Sequence, residues 1–234
     1  MRKMTKAALG ACALALTMSG TTAANAAEPG GGVPIIGGHN ATQTYSWMGT
    51  LSNGCGASLI APQWLSTADH CGFASQVRLG SNSKNSGGEV RQIDDAITRP
   101  GSDLTLMHLS SPAQGTPVRM ASSNPAPGSS VRLLGWGCTS WPSCRHPETL
   151  QEIDLTILPS SSCFPGGGDP EDVCVSGDQS HSACHGDSGG PAIVDGTLVG
   201  VTHGAGDGNG ECATTTLYQG VAAYLPWINE QIGG

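Results

Sequence analysis

The chain has 234 residues, a formal net charge of −8 at neutral pH, and charged side chains at only 12% of its positions. This length suits one large β domain or two small ones. The excess of acidic residues is the opposite of the basic surface that binds nucleic acid, so we expect no nucleic-acid partner. With 35 glycines, the composition is typical of a loop-rich β protein rather than a helical one.

Residues 1–26 have the pattern of a secretory signal peptide. Three basic residues precede an apolar run over 7–18, and small residues end at Ala26. The apolar run is shorter than the ~20 residues that a helix needs to cross a bilayer. We therefore predict cleavage after Ala26 or the next alanine, a short propeptide over 27–34, and a secreted domain over 35–234. We expect this domain to have no membrane segment and, by default, to be a monomer.

Nine cysteines are present, and Cys12 lies within the predicted signal peptide. An even number remains in an exported chain, which predicts four disulfides. The count alone leaves their pairing open. Because the spacings contain no paired C-x-x-C motifs, we disfavour a zinc site and expect no metal or other cofactor. The remaining cysteines are Cys55, Cys71, Cys138, Cys144, Cys163, Cys174, Cys184 and Cys212.

Short apolar segments separated by turn residues follow residue 35, and their spacing predicts β-strands. Residues 112–127, rich in Pro, Ser and Ala, are predicted to connect two halves. A hairpin is predicted over 193–199, because Asp195-Gly196 supplies the positive φ values of a tight turn. The best helical candidate is 221–232. These elements predict an all-β barrel or sandwich with a C-terminal helix. The other predicted strands are 45–51, 57–60, 64–68, 76–79, 104–109, 131–135 and 152–158.

The segment from Cys184 to Pro191 places one serine, Ser188, among three glycines. Glycine allows backbone conformations that a side chain would forbid, so such a loop can direct several N–H groups at one point. A serine in this setting is a candidate nucleophile, and its own N–H with that of Gly186 would form an oxyanion hole.

A serine nucleophile needs a base, and the base needs an acid to orient it. Among seven histidines, His70 is the best candidate, because it ends an apolar strand beside a cysteine that could anchor its loop. Asp103 opens an apolar strand that would bury it beside a histidine. Asp94 and Asp95 are adjacent like charges that are costly to bury together, and we predict that they form a solvated turn.

The same serine segment also fits the G-x-S-x-G pattern of esterases and lipases. Enzymes of the α/β-hydrolase fold place the acid and the histidine after the serine. Only 46 residues follow Ser188, and they lack alternating helices. The available order is His, Asp, Ser in an all-β chain, which disfavours the esterase interpretation.

Five segments in this order resemble the trypsin/chymotrypsin family of serine proteases over about 200 residues. The Cys138/Cys144 insertion and the signal peptide look most like secreted bacterial members. The segments are Ile35-Ile36-Gly37-Gly38, Thr67-Ala68-Asp69-His70-Cys71, Asp103-Leu104-Thr105-Leu106, Gly135-Trp136-Gly137 and Cys184 to Pro191.

The resemblance implies two six-stranded antiparallel β-barrels of the chymotrypsin type and a secreted serine endopeptidase. Ser188 would attack the scissile carbonyl, His70 would act as base and Asp103 would orient His70, while the N–H groups of Gly186 and Ser188 would hold the oxyanion. Substrates would be proteins or peptides, and protein inhibitors are possible partners. The implied disulfides are Cys55–Cys71, Cys138–Cys144, Cys163–Cys174 and Cys184–Cys212.

The resemblance also implies activation by cleavage before Ile35. The freed amino group of Ile35 would pair with Asp187 and order the Gly186 backbone. The family usually has Arg or Lys before this bond, and this chain has Pro34, so activation by a trypsin-like enzyme is not expected. Alternatively, Asp187 makes only a hydrogen bond within its turn.

The specificity pocket departs from the family pattern. Ser182 stands six residues before Ser188, where trypsin-like members carry an aspartate, so cleavage after Arg or Lys is not expected. In the opposite wall the family has Ser-Trp-Gly, and this chain has His203-Gly204-Ala205. His203 could bond Asp103, face the cleft as a pH-sensitive group, or face solvent. Thr216 is placed near the pocket entrance, which predicts a preference for small or medium uncharged side chains.

One alternative function remains at this point. A catalytically silent homologue could bind a partner through the same fold if its pocket were blocked or Asp103 were poorly supported.

Overall fold

A computed structural model describes residues 35–163 and 171–233, together with Met1. Apart from Met1, the predicted signal peptide and propeptide lie outside the described residues. The elements below all belong to one compact unit, Gly32–Gly234.

The described residues form fourteen strands and one α-helix. The strands of the amino-terminal half are β1 (His39–Asn40), β2 (Met48–Leu51), β3 (Gly56–Ala61), β4 (Trp64–Thr67), β5 (Gln76–Leu79), β6 (Glu89–Thr98) and β7 (Thr105–Leu109). The carboxyl-terminal half contributes β8 (Arg119–Met120), β9 (Ser130–Gly135), β10 (Gln151–Leu158), β11 (Val173–Val175), β12 (Pro191–Val194), β13 (Thr197–Ala205), β14 (Thr216–Gly220) and the helix α1 (Val221–Ile232).

The strands close into two six-stranded antiparallel barrels, which confirms the predicted fold. The first barrel has the order β2-β3-β4-β7-β6-β5, and β5 pairs with β2 to close it. The second has the order β10-β11-β14-β13-β12-β9, closed by pairing of β9 with β10. Strand β1 adds to β10, and β8 pairs in parallel with β13.

Successive side chains along a strand point to opposite faces. The larger apolar clusters therefore fill the interior of each barrel and a layer between the two barrels. On β7, Met107 points into the first barrel, while the preceding Leu106 points into the layer between the barrels. On β9, Leu133 points into the second barrel and Leu134 into the same layer. Helix α1 packs Ile228 onto this layer as well. The layer therefore holds the two barrels in a fixed relation at the cleft between them.

Two sequence interpretations are wrong in detail. Asp94 and Asp95 do not form a turn but lie in β6, where a bulge after Ile93 lets two consecutive side chains face solvent. Strand β6 was missed because most of its outer face is polar, so it has no continuous apolar run. Pairing with both β5 and β7 stabilises it. The connection over 112–127 contains the short strand β8.

The structure contains the four disulfides implied by the resemblance, Cys55–Cys71, Cys138–Cys144, Cys163–Cys174 and Cys184–Cys212. Among the described residues, no helix has the length and apolar character required to cross a membrane.

Candidate active site

Three side chains meet in the cleft between the barrels. His70 lies in a single 3₁₀ turn after β4, and Asp103 lies just before β7, so both belong to the first barrel. Ser188 comes from the loop before β12 of the second barrel. The Nδ1 of His70 lies 2.7 Å from Oδ2 of Asp103, and its Nε2 lies 2.7 Å from Oγ of Ser188. One imidazole therefore links the predicted acid to the predicted nucleophile.

The carboxylate of Asp103 orients the imidazole and raises its pKa. The backbone N–H of His70 donates to Oδ1 of Asp103 at 2.8 Å, which fixes the second carboxylate oxygen. The hydrogen bond that His70 donates to Asp103 raises the pKa of His70 above its usual value, although partial burial opposes the shift. The imidazole is thus a stronger base than a free histidine, and its charged form is stabilised.

A glutamine that the sequence interpretation missed supports Asp103 from the second barrel. The backbone N–H of Asp103 donates to Oε1 of Gln219 at 3.1 Å. The Nε2 of Gln219 donates in turn to Oδ1 of Asp172 at 3.0 Å. The three residues lie far apart in the chain and match no motif, so a single sequence carried no sign of this contact.

His203 faces the cleft and lies near Asp103 without a hydrogen bond to it, so its position combines features of two of the three alternatives. A bulge between Thr202 and Gly204 interrupts the pairing of β13 with β14 and brings His203 towards the cleft. Its Nε2 is 3.7 Å from Oδ2 of Asp103, which is an ion-pair distance but not a hydrogen bond. The side chain also lines the cavity beside Ser188. Burial lowers the pKa of His203, the carboxylate of Asp103 opposes this shift, and His70 adds to it.

The loop before β12 holds some of its backbone N–H groups in hydrogen bonds and leaves others free. The N–H groups of Asp187, Gly189 and Gly190 all donate to main-chain carbonyls. Among the described residues, those of Gly186 and Ser188 have no such acceptor. The two free donors are the pair that the sequence predicted for an oxyanion hole.

The neighbouring carbonyls explain where these two donors point. In a trans peptide, C=O and N–H point in opposite directions. The carbonyl of His185, in the peptide that carries the Gly186 N–H, accepts from the N–H of Cys138 at 2.8 Å. The carbonyl of Asp187, in the peptide that carries the Ser188 N–H, accepts from Gly190 at 2.9 Å. Both N–H groups are therefore turned away from the protein backbone.

Glycine is required at residue 186 for two reasons. Its φ is +92°, a conformation that side chains disfavour. A Cβ there would also lie 2.8 Å from Cε1 of His146.

Asp187 is a buried carboxylate, only 2% exposed. Its Oδ1 accepts from the N–H of Gly137 at 2.8 Å and its Oδ2 from the N–H of Cys184 at 2.9 Å. Burial raises the pKa of Asp187 to about 7, and these two N–H bonds oppose the shift. Within the described part of the chain it forms no salt bridge. Ile35, its predicted partner, is 1% exposed and packs in the core of the second barrel.

A cavity of about 270 Å³ opens beside Ser188 and His70. Ala205 and Thr216 line it as predicted, together with Ala183 and Thr214. Among the described residues, the only acidic one that lines it is Glu211, which is exposed at the surface.

Ser182 does not line this cavity. It is fully buried, and its Oγ accepts from the N–H of Ala213 at 3.0 Å. Its N–H donates to the carbonyl of Ile36, which joins the segment after Ile35 to the second barrel. The hydroxyl predicted for the floor of the pocket therefore supports the wall segment around Ala213.

One group of potential metal ligands occurs among the described residues. The ligand atoms of Cys138, Cys144 and His146 lie within 4.8 Å of one another. The two sulfur atoms are joined in a disulfide, so neither can act as a thiolate ligand.

Comparisons with known proteins agree with this geometry. A family model described as Trypsin matches residues 35–228. Human kallikrein-8 is 30% identical over 225 residues, which cover 85% of this chain and 86% of the relative. Trypsin-3 of Salmo salar is 33% identical over 218 residues, covering 83% and 91%.

A solved structure has the same fold. It is described as neuropsin, a serine protease expressed in the limbic system of mouse brain, and it matches with a TM-score of 0.75 at 28% identity. The match covers 83% of this chain and 98% of neuropsin. The predicted resemblance to bacterial members has no counterpart among these relatives and stays a prediction. The chain belongs to the trypsin family of serine endopeptidases.

Proposed function

We propose that this chain is a secreted serine endopeptidase in which Ser188 is the nucleophile, His70 the general base and acid, and Asp103 the orienting acid. The observation that carries the proposal is the continuous line from Asp103 through His70 to Ser188, with 2.7 Å at each step. The two free N–H groups of Gly186 and Ser188 adjoin its reacting end.

The geometry supports the following steps. Oγ of Ser188 attacks the scissile carbonyl carbon while Nε2 of His70 takes its proton, and the N–H groups of Gly186 and Ser188 bind the oxyanion. The tetrahedral intermediate collapses, the C–N bond breaks, and His70 gives its proton to the leaving amine. Water then attacks the acyl-enzyme with His70 again as base, which releases the acid and restores Ser188.

Labelling with a fluorophosphonate tests this function. We expect the protein beginning at Ile35 to be labelled and to cleave peptides, and the matched Ser188→Ala variant to take up no label. Labels on digested protein would be located by mass spectrometry. Equal labelling of both proteins, or no labelling of either, would contradict the assignment, and hydrolysis of esters without hydrolysis of peptides would contradict an endopeptidase.

The lining of the cavity supports a preference for small or medium uncharged side chains before the scissile bond. Ala183, Ala205 and Thr216 are small, and no carboxylate stands at residue 182. We expect a peptide-library profile dominated by such residues. Glu211→Gln is the matched control, because any minor cleavage after Arg or Lys should disappear when the only acidic residue among the described lining residues is neutralised. A profile dominated by Arg and Lys in the unchanged protein would overturn this prediction.

We propose that the mature protein begins at Ile35, after removal of the signal peptide 1–26 and the propeptide 27–34. The burial of Ile35 and the unpaired, buried carboxylate of Asp187 support an ion pair between the new amino terminus and this carboxylate. Pro34 indicates that a protease without trypsin-like specificity makes the cleavage. Protein or peptide substrates follow from the family, and we propose that the mature enzyme is a monomer open to protein inhibitors.

A further inference from the structure

We infer that Gln219, held by Asp172, is a positioning residue for the catalytic acid. The inference rests on the proposed role of Asp103 and concerns how that residue is kept in place. Among the described residues, Gln219 is the only one outside the first barrel that forms a hydrogen bond with Asp103, since His203 stays at 3.7 Å.

The contact joins the two barrels. Asp103 belongs to the first barrel, whereas Gln219 lies on β14 and Asp172 directly precedes β11, both in the second barrel. Ser188 also belongs to the second barrel. Because β11 and β14 are paired through residues 173–175 and 216–218, Gln219 and Asp172 move together. A hydrogen bond from Asp103 to Gln219 therefore fixes the acid relative to the barrel that carries the nucleophile.

The chemistry of Asp172, Gln219 and Asp103 determines which group donates and which accepts in each of the two hydrogen bonds. Gln219 is 5% and Asp172 is 7% exposed, so their polar atoms need partners within the protein. The amide NH₂ of Gln219 faces Asp172 and donates to its Oδ1, which accepts. The amide oxygen then faces the backbone N–H of Asp103, which only donates. Glutamine satisfies both ends, whereas leucine or glutamate in its place would leave at least one end unsatisfied.

The wall histidine does not supply this support. His203 stays at 3.7 Å from Oδ2 of Asp103, which is too far for a hydrogen bond. The contact through Gln219 reaches the backbone of Asp103 instead of its carboxylate. It can therefore hold the residue in place without competing for the oxygens that bind His70.

Loss of the hydrogen bond between Asp103 and Gln219 should affect the reaction rate more than the stability of the fold. If Asp103 shifts, its hydrogen bond to His70 weakens and the pKa of His70 falls towards its usual value. The groups facing His70 are Asp103, Asp69 and His203, and none of them is altered by a change at Gln219. Because His70 must be neutral to act as base, the acidic limb of the rate profile would move to lower pH. A misplacement of about 1 Å can cost up to ~10²-fold in rate.

Four variants test the inference. Each is assayed with an N-acyl substrate that has a single residue before the scissile bond, because a longer substrate would make further contacts with the protein. We expect Gln219→Leu to lower kcat about tenfold with little change in KM, and to move the acidic limb to lower pH. Gln219→Glu should also be slow, because it faces Asp172 with a second carboxylate. Asp172→Asn should stay within about threefold of wild type, since its amide oxygen still accepts from Gln219.

The double variant Gln219→Glu/Asp172→Asn distinguishes positioning from packing. In it, the amide of residue 172 can donate to the carboxylate of residue 219, which still accepts from Asp103 N–H, so most of the lost kcat should return. A double variant as slow as Gln219→Glu, or a Gln219→Leu protein with unchanged kcat and acidic limb but a lower Tm, would overturn the inference. Those outcomes in an active wild type leave the proposed function intact, whereas a wild type labelled no better than Ser188→Ala contradicts that function.

Discussion

Ser188→Ala is expected to lower kcat by a factor on the order of 10⁶, with KM and Tm almost unchanged. The hydroxyl is the only nucleophile in hydrogen-bond contact with Nε2 of His70 among the described residues. Removing it eliminates the acyl-enzyme route but leaves the cavity, His70 and the free N–H groups in place. The measurement is steady-state hydrolysis of one peptide amide substrate, with protein purified away from any wild-type trace.

His70→Ala is the matched comparison for this prediction. If the two side chains act as one unit, His70→Ala should cost about as much as Ser188→Ala, and the double variant should be no slower than either. Additive losses would contradict a shared step, and retention of more than about 1% of the wild-type kcat by Ser188→Ala would show that another group carries the reaction.

Asp187→Ala is expected to lower kcat by about 10²–10³, the largest loss expected from a residue outside the catalytic triad. The carboxylate holds the backbone N–H groups of Gly137 and Cys184, and we propose that it also binds the amino terminus of Ile35. Without it, the peptide before Ser188 loses its anchor and the oxyanion donors lose their placement. The loss should appear in kcat of the protein beginning at Ile35, while Asn at the same position should retain part of the rate.

The same residue predicts how stability depends on pH before Ile35 is freed. Burial raises the pKa of Asp187 from 3.8 to about 7. Between about pH 4 and about pH 7, the folded chain holds the proton of Asp187 and the unfolded chain has lost it. The free energy of unfolding therefore falls as the pH rises through this range. The slope contributed is about 1.4 kcal/mol per pH unit.

Urea unfolding of the Ser188→Ala precursor at several pH values measures this slope, and the Ser188→Ala background prevents self-digestion. The matched Asp187→Asn protein, which has no proton to lose, should show a smaller decline. The protein that begins at Ile35 should also show a smaller decline, because its amino group can pair with the carboxylate. Identical slopes in the precursor with and without Asp187→Asn would contradict the account.

The sequence was sufficient where chemistry depends on a short segment. The loop containing Ser188 and the turn containing His70 are short segments, and their resemblance to a known family predicted that these two side chains would act together. Tertiary contacts at larger separation were not accessible in this way. Gln219 reaches Asp103 across 116 positions of the chain, and its residue type alone gives no indication of that partner.

Local structure determines two further features of the site that the sequence did not show. The bulge between Thr202 and Gly204 shifts the register by one residue, and a one-residue shift moves a side chain to the other face of a strand. The orientation of His203 was therefore open until the pairing was known. Ser182 was placed at the correct distance before Ser188, but the fold turns its hydroxyl to the N–H of Ala213 instead of the cavity.

The Cys138–Cys144 and Cys184–Cys212 disulfides connect catalytic competence to the redox state of the surroundings. Cys138 holds the carbonyl next to the Gly186 donor, and Cys184 holds the carboxylate of Asp187. Thiols remain reduced in a cytoplasm and are oxidised after export. If the chain is exported as we propose, newly made chains inside the cell would lack both covalent ties. The oxyanion donors would then acquire their full order only outside the cell, where proteolysis does not damage the cell that made the protein.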